Sequence, residues 1–180
     1  MGGQPVPLVT AQDLVFPSAV PYLDGMHHSD GYIEIRFGPR WKYISPVRVF
    51  IQNFIAIALS DQAKADSLAM ATSELLENAV KYGASEDTQC VVRASPSTGV
   101  IEASVTNHAT PEGVVELEAL YKKVTAGDPL EAYISQMRES ATRTDGRSQL
   151  GLARIRYETG AEMKLDITPE LLVTITILVK

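Results

Sequence analysis

The sequence has very little cysteine and no long apolar run, and both absences exclude classes of protein. Cys90 is the only cysteine among 180 residues, so the chain forms neither an internal disulfide nor a cysteine-rich metal site. It lies in an apolar, strand-like run, which predicts a buried structural thiol. No stretch approaches the roughly 20 apolar residues that cross a bilayer, and the N-terminus lacks a basic region followed by an apolar one. We therefore expect a cytoplasmic protein without membrane contact.

An excess of basic residues is also missing. The chain has 16 Lys and Arg against 22 Asp and Glu, with a formal net charge of -6. Domains that bind a nucleic-acid duplex usually carry a basic stripe, so we expect no direct nucleic-acid partner. The contents of 45% hydrophobic and 21% charged residues are typical of a folded globular domain, and the length is sufficient for one sizeable core.

The chain is predicted to divide near residue 30. Residues 1–30 contain four prolines and are expected to form an extended lead-in that packs along the domain. Residues 31–180 are expected to form one domain, in which residues 110–149 form a helical, lid-like insert. No internal repeat or low-complexity tract interrupts this organisation.

Hydrophobic periodicity predicts the order strand, helix, helix, two strands, helical insert, helix, two strands. Because successive strands are joined by short turns and the helices are grouped between them, the predicted class is α+β. The architecture is a two-layer α/β sandwich, with a mixed, mostly antiparallel sheet covered on one face by helices. Gly83 is placed to cap the second helix. The predicted elements are residues 32–37, 47–58, a helix ending near 82, 88–94, 100–106, 114–124, 130–140, 150–158, 163–167 and 171–179.

Three polar residues of the second predicted helix share one face. Glu74, Asn78 and Lys81 follow one another at i, i+4 and i+7. An amide oxygen is a suitable ligand for Mg²⁺, a carboxylate can orient or deprotonate a water or hydroxyl, and an ammonium group can contact a phosphate. The alternative is a solvated polar face of the kind that surface helices usually have.

The stretch ELLENAVKY, residues 74–82, resembles the N-box of the GHKL ATPase superfamily. It is most similar to the anti-sigma-factor serine kinases and the ATP-binding domains of histidine kinases. The resemblance implies the Bergerat fold, with ATP and Mg²⁺ as cofactors. It also implies that Glu74 is the catalytic base, that Asn78 is the Mg²⁺ ligand and that Lys81 lies near the phosphates.

The second motif of that family, Asp-x-Gly-x-Gly, follows a strand, and its Asp accepts a hydrogen bond from the adenine amino group. At the matching place this chain has Asn107 for the Asp and Ala109 for the first glycine. The resemblance therefore implies that Asn107 contacts the adenine. The residue type alone equally predicts that Asn107 caps the following helix, since Asn is a good N-cap.

The third motif is a glycine-rich turn whose backbone N–H groups bind phosphate at a helix N-terminus. Leu150, Gly151 and Leu152 are kept, whereas Arg147 and Gln149 replace the two earlier glycines. The resemblance implies that the three kept residues lie at the nucleotide and that Arg147 adds positive charge there. Alternatively, Gly151 has no role in nucleotide binding and only allows the helix to pack closely against its neighbours.

Two functions follow from these motifs. The first is that of an ATP-binding regulatory serine/threonine kinase or ATPase, which transfers the γ-phosphate to a partner in bacterial signalling. The family resemblance implies a partner such as an anti-sigma antagonist or a sigma factor. The second is that of a nucleotide-independent interaction module on the same fold, which binds a signalling partner or a second copy of itself. The substitutions in the second and third motifs favour this alternative.

Overall fold

Helices and strands follow one another in the order that the periodicity predicts. The structure, a computed structural model, describes residues 30–38, 40–142 and 149–180. Its elements are β1 (Gly31–Phe37), α1 (Trp41–Leu59), α2 (Gln62–Tyr82), β2 (Gly83–Ser95), β3 (Val100–Ala109), α3 (Pro111–Thr125), α4 (Pro129–Thr142), α5 (Gly151–Thr159), β4 (Glu162–Ile167) and β5 (Leu172–Val179).

The five described strands form one sheet in the order β1-β2-β3-β5-β4, and every pairing is antiparallel. Side chains alternate between its two faces. One face contributes Val92, Ile101 and Ile177 to the core, whereas the other carries polar pairs such as Thr106 and Thr174, whose hydroxyls lie 2.9 Å apart. Helices pack on the apolar face, which confirms the predicted α+β sandwich.

Helix α2 lies at the centre of the helical layer. Its buried Leu68, Leu75 and Leu76 pack in the same core as Ile51 and Ile55 of α1. Full burial of one such side chain contributes about 1.5–3 kcal/mol, so this contact orients α2 firmly above the sheet. The predicted apolar face of α2 is therefore confirmed.

The thiol of Cys90 is buried on the core face of β2, 1% exposed. Burial raises its pKa to about 12, because a thiolate loses its hydration there. The prediction of a structural thiol is confirmed.

Gly83 ends α2, as predicted, but not in the left-handed conformation of a helix cap. Its φ is -69° and its ψ is 142°, and the chain enters β2 directly. Glycine is needed here for close approach, because a Cβ would lie 2.3 Å from the backbone oxygen of Ala79.

Several element boundaries differ from the sequence prediction, among them the start of β2, which is Gly83 rather than residue 88. Helix α1 begins at Trp41 rather than at residue 47, because Ile44 is also buried. Strand β3 continues to Ala109 rather than ending at residue 106, because Asn107 pairs with Val173 of β5. The alternative that Asn107 caps α3 is therefore wrong. That position belongs to Thr110, whose hydroxyl accepts a hydrogen bond from the backbone N–H of Gly113 at 3.0 Å.

The predicted insert, residues 110–149, contains α3 and α4. Hydrogen bonds connect α3 to the rest of the domain. The Tyr121 hydroxyl donates to the Met163 carbonyl at 2.7 Å, and Arg156 donates to the Val124 carbonyl at 2.8 Å. Among the described residues, no helix is long and apolar enough to cross a membrane. Residues 1–29 are not described, so the division between lead-in and domain stays a prediction.

Candidate functional site

A polar cleft opens where α2, α4 and the start of α5 meet. Helix α2 contributes two acids and a lysine, and α5 contributes an arginine and a third acid. The space between them is about 270 Å³. The residues of this polar cleft are Glu74, Glu77, Lys81, Tyr133, Leu150, Arg154 and Glu158.

Glu74 is the most buried acid of the polar cleft, with its side chain 16% exposed. Arg154 donates to its carboxylate at 3.2 Å and to Glu158 at 2.9 Å. Burial and the neighbouring charge of Glu77 raise the pKa of Glu74, and Arg154 offsets this only partly. The carboxylate is thus held in an ion pair that burial makes less favourable.

Glu74 also contacts the first residue of α5. A Cβ on Gly151 would lie 2.7 Å from Glu74 Oε2, so any larger residue would displace the carboxylate. A negative charge near a helix N-terminus is favoured by the helix dipole. The carboxylate of Glu74 therefore lies beside the first residue of α5, close to the place where the sequence motif implies a phosphate.

Asn78 and Asn107 come together inside the domain rather than in the polar cleft. They line a small space of about 10 Å³, together with apolar residues that include Leu117 of α3. Asn107 donates to the His108 carbonyl at 3.1 Å, and the buried Nδ2 of Asn78 has no hydrogen-bond partner among the described residues. The space has room for about one water molecule.

The remaining predicted site residues do not lie together in one place. Lys81 lies in the polar cleft, 3.8 Å from Glu77, and Leu150 lines it as well. Leu152 is buried in the core at 1% exposure, and Arg147 lies outside the described residues. Gln149, at a glycine position of the motif, donates to Glu116 of α3 at 2.7 Å. The face shared by Glu74, Asn78 and Lys81 is thus divided between cleft and interior.

Sequence reasoning did not single out Arg154 or Glu158. Their i,i+4 spacing is a recognisable signal for an ion pair on a helix, but no local pattern indicates that Arg154 also reaches Glu74. Tyr133 and Tyr157 were missed as well. Their rings stack at 5.1 Å and hold α4 against α5.

A second surface feature lies on α1. Tyr43, Phe50 and Ile57 follow one another at seven-residue spacing, so they form one line along the helix. They are 42%, 51% and 81% exposed, respectively. We call these three residues the α1 stripe. Among the described residues, Lys42 Nζ lies over the ring of Tyr43, 4.9 Å from its centroid.

Among the described residues, the space beside Asn78 and Asn107 is too small for the nucleotide that the motifs imply. Ligand pockets usually enclose about 300–1,000 Å³, whereas the space beside Asn78 and Asn107 is about 10 Å³. The polar cleft is larger, and its three carboxylates are paired with Lys81 and Arg154. Binding of ATP and Mg²⁺ stays a prediction that a titration would test.

Among the comparisons with known proteins, only the one with solved structures gives matches. No family model matches the chain, and no curated protein matches it. Among solved structures, a chain in the crystal structure of the SiaB-SiaC complex from Pseudomonas aeruginosa matches with a TM-score of 0.59 and 15% sequence identity. The match covers 82% of this chain and 88% of that chain. At this identity it shows a shared fold alone.

These comparisons correct the assignment to the GHKL ATPases, and with it the description as a histidine-kinase-like, ATP-binding kinase. No family model supports it, and a solved structure that matches is a complex of two proteins. The physical reason is that the motif residues make other contacts. Asn107 is paired within β3, Gln149 is bonded to α3, and Glu74 lies against the start of α5.

Proposed function

We propose that this chain is a regulatory protein of bacterial signalling that acts by binding a partner protein through the α1 stripe. The observation that carries the proposal is the exposure of Tyr43, Phe50 and Ile57 along one line of α1. Single exposed apolar residues are ordinary on a protein surface, but an aligned set of large ones is typical of an interaction site.

The geometry of the stripe fits a helix or extended segment of the partner. Seven residues make about two turns of a helix, so side chains at this spacing form a nearly straight line that a partner can contact. Helix α1 also contains Lys42 and Arg48 and no acidic residue. We therefore expect the partner to present apolar anchors flanked by acidic side chains.

The fold match supports this proposal, since the matched chain was crystallised in a complex of two proteins. The same proposal includes a cytoplasmic location and a signalling partner such as an anti-sigma antagonist or a sigma factor. It assigns no catalytic step to the polar cleft. Its acids and bases are paired with one another, and we interpret them as joining α2, α4 and α5.

The test compares partner binding by the wild type with binding by a Phe50→Ser/Ile57→Ser variant. Proteins captured by the wild type are identified, purified and titrated against each variant. We expect binding at least about tenfold weaker, since truncating an aromatic anchor typically costs more than 1 kcal/mol.

Val115→Ser is the matched control, because Val115 is an apolar residue of α3 that is 68% exposed and lies outside the stripe. It should bind the partner as the wild type does. A partner that binds the stripe variant with undiminished affinity would contradict the proposal. Thermal unfolding of each variant ensures that a weaker interaction does not reflect a misfolded domain.

A further inference from the structure

Strand β4 forms one edge of the sheet. Among the described residues it pairs with β5 alone, so one row of its backbone N–H and C=O groups faces away from the sheet. Lys164 and Asp166 lie on the face without helices, with side chains 73% and 50% exposed, whereas Met163, Leu165 and Ile167 pack against the core. Such an edge accepts a further strand when the side chains of that strand match it.

The sequence of β4 matches itself in one antiparallel register. When two identical strands pair about a two-fold axis, the side chains opposite each other lie on the same face of the sheet. With Leu165 on the axis, each Lys164 faces Asp166 of the other copy, and each Met163 faces Ile167. Within one chain Lys164 and Asp166 are 2.8 Å apart, so in this pairing each lysine lies between two aspartates. Opposite charges and apolar pairs at facing positions stabilise a sheet.

The same charges disfavour the other registers. With Lys164 on the axis, the two lysines face each other and Glu162 faces Asp166. With Asp166 on the axis, the two aspartates face each other. An axis near either end of β4 leaves much of the strand unpaired. Because like charges directly opposite one another are destabilising, the charges of β4 select the pairing about Leu165.

A groove beside β4 enlarges this surface. It encloses about 410 Å³ between α3, α5 and β4, and Arg156 is among the residues that line it. In the selected register the β4–β5 turn of the second copy, residues 168–171, comes alongside Gly160 at this groove. Glu170 is the charged residue of that turn, and its carboxylate complements Arg156. The groove matters because a single strand pairing is small, whereas specific interfaces usually bury more than about 1,000 Å².

We propose that two copies of this chain join through β4 and form one continuous sheet across a two-fold axis at Leu165. This interface goes beyond the proposed function and does not involve the α1 stripe, because α1 packs against Gly31 of β1, at the other edge of the sheet. Each dimer would present two stripes, so a partner with two matching segments would bind more tightly than one with a single segment.

Exchanging the two charges tests the register in the full chain. Sedimentation velocity over a range of concentrations gives the mass of the purified protein and the dissociation constant of the dimer. Lys164→Asp leaves only acids at the facing positions, and Asp166→Lys leaves only lysines. We expect each variant to dimerise at least about tenfold more weakly than the wild type. An equimolar mixture of the two variants should dimerise as the wild type does, because opposite charges face each other again. Mixing would not restore a misfolded variant.

Arg36→Glu is the matched control, because it makes the same change of charge on β1, where the Arg36 side chain is 65% exposed. It should leave dimerisation unchanged. A wild-type chain that sediments as a monomer at every concentration would overturn the inference, and so would a dimer that Lys164→Asp and Asp166→Lys leave intact. Loss of the dimer in Arg36→Glu alone would assign the pairing to β1 instead. No partner is present in these measurements, so their failure leaves binding through the α1 stripe unaffected.

Discussion

The carboxylate of Glu74 lies against Gly151, with Oε2 2.7 Å from the place that a Cβ on Gly151 would occupy. The same carboxylate is paired with Arg154, so one acid of α2 contacts both the first residue and the second turn of α5. This contact joins the central helix to the helix that precedes β4. It also explains why the glycine of the Leu-Gly-Leu sequence is needed without any bound phosphate.

Gly151→Ala should therefore destabilise the domain through Glu74. The new methyl group would push the carboxylate away from its position and weaken its pair with Arg154. Alanine favours a helix over glycine by up to about 1 kcal/mol, so the steric cost must exceed this gain. We expect a net loss of about 1 kcal/mol in the free energy of unfolding, measured by urea denaturation.

A double-mutant cycle identifies the cause of that loss. In a Glu74→Ala background the methyl group has no carboxylate to displace, so Gly151→Ala should become neutral or stabilising. If the substitution costs the same in both backgrounds, the contact between Glu74 and residue 151 is not what requires glycine.

The stability of the domain should depend on pH through Glu74. Its pKa is raised in the folded state above the ordinary value of 4.5, first by burial and then by Glu77. Between the two pKa values the folded state binds more protons than the unfolded state, so stability falls as pH rises through this window. Glu74→Gln removes the titration. We therefore expect the melting temperature of Glu74→Gln, relative to the wild type, to increase from about pH 4 to about pH 7.

Glu118→Gln is the comparison for this effect, because it removes one negative charge from the exposed face of α3. It should show no comparable trend. A melting temperature of Glu74→Gln that falls relative to the wild type as pH rises would mean that the pair with Arg154 outweighs burial.

Gly83→Ala should be more harmful than Gly151→Ala. Its Cβ would lie 2.3 Å from the backbone oxygen of Ala79, and a backbone atom cannot move aside as a carboxylate can. Relieving the overlap would require the end of α2 to shift from the start of β2. We expect a loss of about 3 kcal/mol, at the upper end for overpacking, again measured by urea denaturation. An equal or smaller loss than for Gly151→Ala would contradict this explanation.

The sequence was informative wherever a local pattern decided the structure. Alternation predicted β1, helical spacing predicted α2 and its buried face, and the glycine after Tyr82 marked the end of that helix. It was less informative where contacts between distant segments of the chain determined the structure. The last residues of β3 are a strand because Asn107 and His108 pair with β5, and that pairing has no signature in the residues themselves.

The candidate site shows the same limit more sharply. The family resemblance was carried by residue types at matching spacings, such as Glu74, Asn78 and the Leu-Gly-Leu sequence. It could not indicate that Arg154, 80 positions away in the chain, pairs with Glu74. Nor could it indicate that Asn78 is buried beside Asn107 in a space of about 10 Å³. Glu74, Asn107 and Gln149 each have another neighbour within the fold: Arg154, Val173 and Glu116, respectively.

Titration with ATP, with and without Mg²⁺, tests this conclusion directly. Among the described residues, the space beside Asn78 is about 10 Å³, too small for a nucleotide, and the carboxylate of Glu74 lies at the start of α5. We therefore expect no saturable heat at millimolar ATP from a protein whose thermal unfolding shows that it is folded. Micromolar, Mg²⁺-dependent binding that Asn78→Ala abolishes would contradict this expectation. It would require α3 to move away from β3, since Leu117 of α3 lines the small space in which Asn78 lies. Weak binding that Asn78→Ala leaves unchanged would instead place any nucleotide elsewhere on the surface, and the interior would stay closed.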